Sequence, residues 1–190
     1  LAIYKQNYTT DNINRPIHAS LIGNLCLRFP FLGFTIRLAK RWMASQMLLS
    51  KFESGIPPEV VELLCVRIYT QPTAYGPPAS GWVGFVRFLE MVSTFKWSSE
   101  PFIVELESEK LNTEIRDEIN AKFNKLSAGG VGHISMFVAT ELDHSSSWWN
   151  TLDISTKVVQ KFTILAKSSL DLIKHVLTSG NTNDISVIEF

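Results

Sequence analysis

The chain has 190 residues, 45% hydrophobic and 19% charged, with 18 basic and 18 acidic side chains and therefore no formal net charge. This is the make-up of a globular chain able to fill one core, or one core with an appended lobe, and not the composition expected of a disordered chain. No uncharged apolar run approaches the roughly 20 residues of a membrane span, and LAIYKQNYTT lacks the basic, apolar and small-residue order of a signal peptide, so a soluble protein is expected.

The neutral total hides an asymmetry. Residues 1–52 carry Lys5, Arg15, Arg28, Arg37, Lys40, Arg41 and Lys51 against Asp11 alone, whereas residues 53–110 lean acidic, so a local field attractive to polyanions remains open. Cys26 and Cys65 sit in apolar helical patterns without zinc-ligand spacing, which points to packed thiols in a reducing compartment. The initial Leu and the strand-like ISVIEF at the end lead us to expect a piece of a longer protein.

In chain order, a first helix is expected over Pro16–Arg28, with Leu21, Ile22, Leu25 and Cys26 at helical spacing and Pro30 as its stop. A second spans Leu32–Lys51 and stops at Ser54-Gly55, a left-handed cap signal. A third, in IPPEVVELLCVRIYT, starts on prolines, places Glu59 and Glu62 near its positive end and buries Val60, Leu63, Leu64 and Ile68. The loop Gln71–Gly81 separates it from a helix over Trp82–Phe95, apolar except for Arg87, Glu90 and Thr94, which is expected at the centre of the bundle with Trp82, Phe85 and Leu89 buried.

After Pro101 the period changes to two. Phe102, Val104 and Leu106 alternate with Ile103, Glu105 and Glu107, a strand with one wet face. A polar amphipathic helix over Leu111–Leu126 follows, then the glycine-rich joint SAGGVG, a strand in HISMFVATEL, the loop DHSSSWWNT and a long helix over Ser155–Leu177. Its apolar stripe is read as Val158, Phe162, Leu165, Ala166, Leu172, Ile173 and Val176, and ISVIEF is expected to pair with a sheet. The fold class is α+β and mainly helical, with residues 1–126 as a helical lobe and 127–190 opening a small β-containing module.

The segment RLAKRW concentrates charge. At about 100° per residue, Arg37, Lys40 and Arg41 fall within an arc of roughly 100°, opposite Leu38, Ala39, Trp42 and Met43. Lysine grips phosphate as a point charge and arginine as a two-pronged fork. A solvated face, or pairing with acids such as Glu59 or Glu90, is the simpler reading on composition alone.

Arg37-x-x-Lys40-x-Trp42 followed by IPPEVVELL, residues 56–64, resembles the helical lobe of the poly(A) polymerase and oligoadenylate synthetase superfamily. The resemblance implies that Lys40 takes the place of a lysine that reaches the triphosphate of an incoming nucleotide in active members. A wider match runs through His18, LRFPF, RLAKRW, GWVGFVRFLEMVSTFKW, EPFIVEL, MFVATELD and SSSWWN, in that order over most of the chain. It is similar to the C-terminal region of the Nrap family, nucleolar RNA-associated proteins of the small-subunit processome. That resemblance implies a nucleolar scaffold built from nucleotidyltransferase-like modules, supporting pre-rRNA processing and assembly of the 40S subunit. The implied partners are pre-rRNA or small nucleolar RNA and other processome proteins, with no membrane.

Catalysis is not expected. Nucleotidyl transfer requires carboxylates that hold two magnesium ions beside a Gly-Ser turn, and the nearest imitation, Glu105-Leu-Glu107, has no such turn. His18, His133, His144 and His175 are scattered without metal spacing, and Asp143-His144 beside serines lacks a strained nucleophile turn. No metal and no cofactor is expected. The candidate phosphate contacts are Arg37, Lys40 and Arg41, and the candidate partner contacts are Trp148 and Trp149, which alternatively anchor their loop. Two other functions compete with the scaffold: the nucleotide-binding lobe of an active template-independent nucleotidyltransferase, and a pure protein-interaction module.

Overall fold

The computed structural model describes residues 9–49, 55–107, 111–128, 134–149 and 151–179. The joint SAGGVG lies largely outside them, as do His133 and ISVIEF. A π-helical turn, Thr10–Asn14, runs directly into α1 (Arg15–Arg28). Three further bundle helices follow: α2 (Leu32–Ser45), α3 (Pro58–Thr70) and α4 (Gly81–Thr94). The strand β1 (Phe102–Val104), the helix α5 (Thr113–Ala128) and the strand β2 (Val138–Thr140) form a parallel crossover, and α6 (Thr156–Ser179) completes the bundle. The class is thus mainly helical with a two-stranded sheet.

The helix ends follow local chemistry. Ser80 caps α4 by accepting from Val83 N at 3.1 Å, and Asn112 Oδ1 accepts from Ile115 N at 2.9 Å at the start of α5. Pro58 occupies the first turn of α3, where its missing N–H costs nothing. The expected run of α2 to Lys51 is corrected: the helix stops at Ser45. Met47 takes a left-handed conformation (φ 53°), its N–H bonds Ala44 O at 3.0 Å, and Leu48 N reaches back to Met43 O at 2.9 Å. This is a Schellman closure built on methionine rather than glycine, and the burial of Leu48 that it achieves compensates the unfavourable φ.

As expected, α4 lies at the centre of the bundle, and it shares that place with α3, which touches α1, α2, α4 and β1 and buries eight of its thirteen residues. α4 lies between α2 and α6 and buries Phe85, Phe88 and Leu89, while Trp82 stays 38% exposed, contrary to expectation. α4 comes close to α2 because Gly84 has no side chain: a Cβ there would collide with Thr35 Oγ1 and lie 2.6 Å from the Tyr69 hydroxyl. Those two hydroxyls are hydrogen-bonded at 2.7 Å. On α6 the buried stripe is Val159, Phe162, Ala166, Leu170 and Ile173, rotated from the expected one, with Leu172 exposed.

The strand pair separates two cores. Phe102, Val104 and Val138 face the bundle, while Ile103 and Ala139 face α5 together with Ile119, Phe123 and Phe137. The expected wet face of β1 is therefore covered at Ile103, because a parallel crossover lays its helix on the side away from the bundle. The register pairs Phe102 with Val138 and Val104 with Thr140. The buried Glu141 carboxylate extends this junction by accepting from Leu106 N at 3.0 Å and Glu107 N at 2.7 Å. The expected division at residues 126 and 127 thus runs between two paired strands, and α6 from its far side packs on α4.

Candidate phosphate-binding face

α2 is amphipathic, and its inner face is held by one large side chain. Trp42 is enclosed by Phe85, Phe88 and Phe162, with ring centroids 6.1–6.5 Å away, and its indole N–H donates to Ser169 Oγ at 3.0 Å. Lys161 Nζ donates to Gln46 O at 2.9 Å, a second tie between α6 and the end of α2. The opposite face is consequently fixed in orientation, and Arg37 and Arg41 stand exposed on it. Arg37 lies over the Phe34 ring, its Cζ 5.8 Å from the centroid.

Lys40 leaves this arc. Its ammonium bonds the carboxylate of Glu62 on α3, whose other oxygen accepts from His18 Nε2 at 2.6 Å. The expected set of three outward cations is corrected to two, because Lys40 sits on the flank nearest α3 and a half-buried carboxylate there requires partners. Burial pulls the Glu62 carboxyl upward, yet the hydrogen bonds and charges of His18 and Lys40 outweigh it and hold the group below its ordinary range. The acids anticipated as partners were Glu59 and Glu90; Glu59 instead pairs with Arg15 at 3.0 Å. Glu62 and His18 are the side chains that sequence reasoning missed. The available signal was a charge embedded in an otherwise apolar helix, EVVELLCV, which must find a counter-charge.

The loop after β2 joins the same network. Trp149 is 7% exposed and meets His18 edge-on, with centroids 5.1 Å apart. It is therefore not available to a partner, which corrects one candidate contact, and Trp148 is half-buried against the main core. Asp143 organises the loop: Oδ1 accepts from Ser145 N at 3.2 Å and Ser147 N at 3.1 Å, and Oδ2 from Trp148 N at 2.8 Å. His144 bonds Glu118 on α5 at 2.9 Å. Asp143 and His144 thus point to separate structural partners. Glu105 lies 3.9 Å from Arg116, and among the described residues no three His, Cys, Asp or Glu side chains cluster as metal ligands. Cys65 is enclosed, and burial pushes its thiol far up. No helix among the described residues is long and apolar enough to cross a membrane.

The mainly helical lobe with its small two-stranded sheet is consistent with a PAP/OAS1-like helical domain. Residues 29–188 match the family model described as "Nrap protein PAP/OAS1-like domain 5", and the chain belongs to the Nrap family. It is 32% identical over 170 residues to Nucleolar protein 6 of Xenopus tropicalis, 34% over 168 residues to that of Xenopus laevis and 31% over 179 residues to that of Homo sapiens. These matches cover 88–94% of this chain but only 14–15% of each relative, so the chain spans about one seventh of the length of the curated relatives it matches.

Proposed function

We propose that this chain is a non-catalytic lobe of a nucleolar small-subunit processome protein, contacting pre-rRNA or small nucleolar RNA through Arg37 and Arg41 while its other surfaces meet processome proteins. In that role it supports pre-rRNA processing and 40S assembly. The observation that carries the RNA contact is the exposed arginine pair on a helix whose other face is pinned by Trp42. Family membership and the relatives' name, Nucleolar protein 6, support the nucleolar setting.

Against the nucleotide-binding alternative stands Lys40. Its charge is already taken by Glu62, so a triphosphate would have to displace an internal carboxylate. The pure protein-interaction alternative loses Trp149, which is buried within the chain.

Replacing Arg37 and Arg41 together by Ala should weaken RNA binding with little sequence preference. It should also lower the slope of log affinity against log salt by about 1.4, or roughly 0.7 per lost single-strand phosphate contact. An unchanged slope removes the phosphate role. For the non-catalytic reading, the full-length protein should add no nucleotide to RNA with magnesium present, and incorporation abolished by Lys40→Ala would overturn it.

A further inference from the structure

The same face of α2 carries a second feature that the phosphate reading leaves unused. Phe34, Arg37 and Arg41 are spaced i, i+3 and i+7, which places them within about 60° of arc on one side of the helix. Phe31 precedes Phe34 by three residues. Phe31 is 45% exposed and Phe34 47% exposed, far more than Phe85, Phe88 and Phe162 of the bundle core, which are fully buried.

Phe34 is nonetheless held in place. Its inner edge rests on the backbone of Gly81 at the start of α4, where a Cβ would come within 2.8 Å of Phe34 Cγ. Its position is further set by Arg37, whose guanidinium lies over the ring. An exposed ring fixed from beneath, carrying a flat cation, is a stacking platform that loses little side-chain entropy on binding.

The charge around it selects the ligand. Residues 29–49 contain Arg37, Lys40 and Arg41 and no Asp or Glu, so this surface favours a polyanion. Duplex RNA keeps its bases stacked on one another and presents phosphates and 2′-hydroxyls, which leaves exposed phenylalanines nothing to stack on. A single strand offers both phosphates for the arginines and unstacked bases for aromatic rings and guanidinium planes. The face runs about 15 Å from Phe31 to Arg41 at about 1.5 Å per residue, room for a few nucleotides.

Resting on the proposed phosphate role of Arg37 and Arg41, we infer that this face binds single-stranded RNA specifically, with bases stacking on Phe34 and Phe31 while the phosphates lie along the two arginines. Base identity is not read, because every base has a π-face.

The test compares four probes on the whole chain: a ten-nucleotide single strand of mixed sequence, an abasic ten-mer of the same charge, a ten-base-pair duplex, and deca-glutamate. The single strand should bind at least about tenfold more tightly than the abasic strand, in line with the contribution of base–aromatic stacking. The Phe31→Leu, Phe34→Leu double variant retains apolar bulk. It should remove most of that preference while leaving the salt slope unchanged, with its melting temperature confirming the fold. Phe34→Tyr retains a ring and should retain the preference.

Arg41→Ala, which leaves the contact of Arg37 with Phe34 intact, should do the converse, lowering the salt slope while the ratio of single to abasic strand persists. If the abasic strand or the duplex binds as tightly as the single strand, the stacking inference fails and the phosphate reading survives. If no probe binds with salt dependence, both fail. Deca-glutamate binding as tightly as RNA would assign the face to an acidic protein segment. Self-association abolished by the leucine variant, without base-dependent binding, would assign it to a second copy. Either result overturns the inference.

Discussion

Replacing Glu62 by Gln removes the charge that holds Lys40 and His18 together. The two partners respond differently because their surroundings differ: the Lys40 side chain is 30% exposed and turns to water at little cost, whereas that of His18 is 5% exposed and remains between α1, α3 and Trp149. The loss is therefore close to one charge-assisted hydrogen bond, about 1.5–3 kcal/mol. For a chain of this size that lowers the melting temperature by about 3–12 °C, as read by calorimetry at pH 7.

The sign of the pH dependence is set by the depressed carboxyl. Its contribution is fully present above the ordinary value of 4.5 and is lost as the pH falls below that, so the gap between wild type and Glu62→Gln should shrink between pH 6 and pH 3. The same substitution releases Lys40 beside Arg37, and the salt slope of RNA binding should rise by about 0.7 as one more phosphate is engaged. Equal melting temperatures at pH 7, or a gap independent of acid, would refute the account of the His18–Glu62–Lys40 network.

Gly84→Ala should cost about 1–3 kcal/mol by overpacking, since its Cβ would push against the hydrogen-bonded Thr35 and Tyr69 hydroxyls; a urea midpoint equal to wild type would contradict the close approach of α4 to α2. Asp143→Asn leaves the shape but removes the charged acceptor of three backbone N–H groups, and should destabilise by about 1–3 kcal/mol with a red shift in tryptophan emission as Trp148 and Trp149 loosen; unchanged emission would show that the loop holds without it. Trp42→Phe deletes the bond to Ser169 and leaves space beside Phe162, so the melting temperature should fall by several degrees, with α6 becoming less protected from hydrogen exchange.

The helices of this chain are written locally. Prolines open α1 and α3 near their expected starts, Ser80 caps α4, and a 3.6-residue period turns Trp42 inward and Arg37 and Arg41 outward, so the core of the candidate face follows from angular arithmetic alone. The ordered motifs likewise carry the family.

What lies across each face is different in kind. Glu62 meets Lys40 from 22 residues away and His18 from 44, β1 meets β2 across the expected domain boundary, and Trp149 finds His18 only once the loop folds back on the bundle. Periodicity states which way a side chain points; it carries no information about what has been packed opposite. For that reason the tertiary structure alone decided that Lys40 is satisfied internally, that β1 is covered on both faces, and that α2 stops at Ser45 and closes through Met47, where burying Leu48 outweighs a methionine's reluctance to turn left-handed.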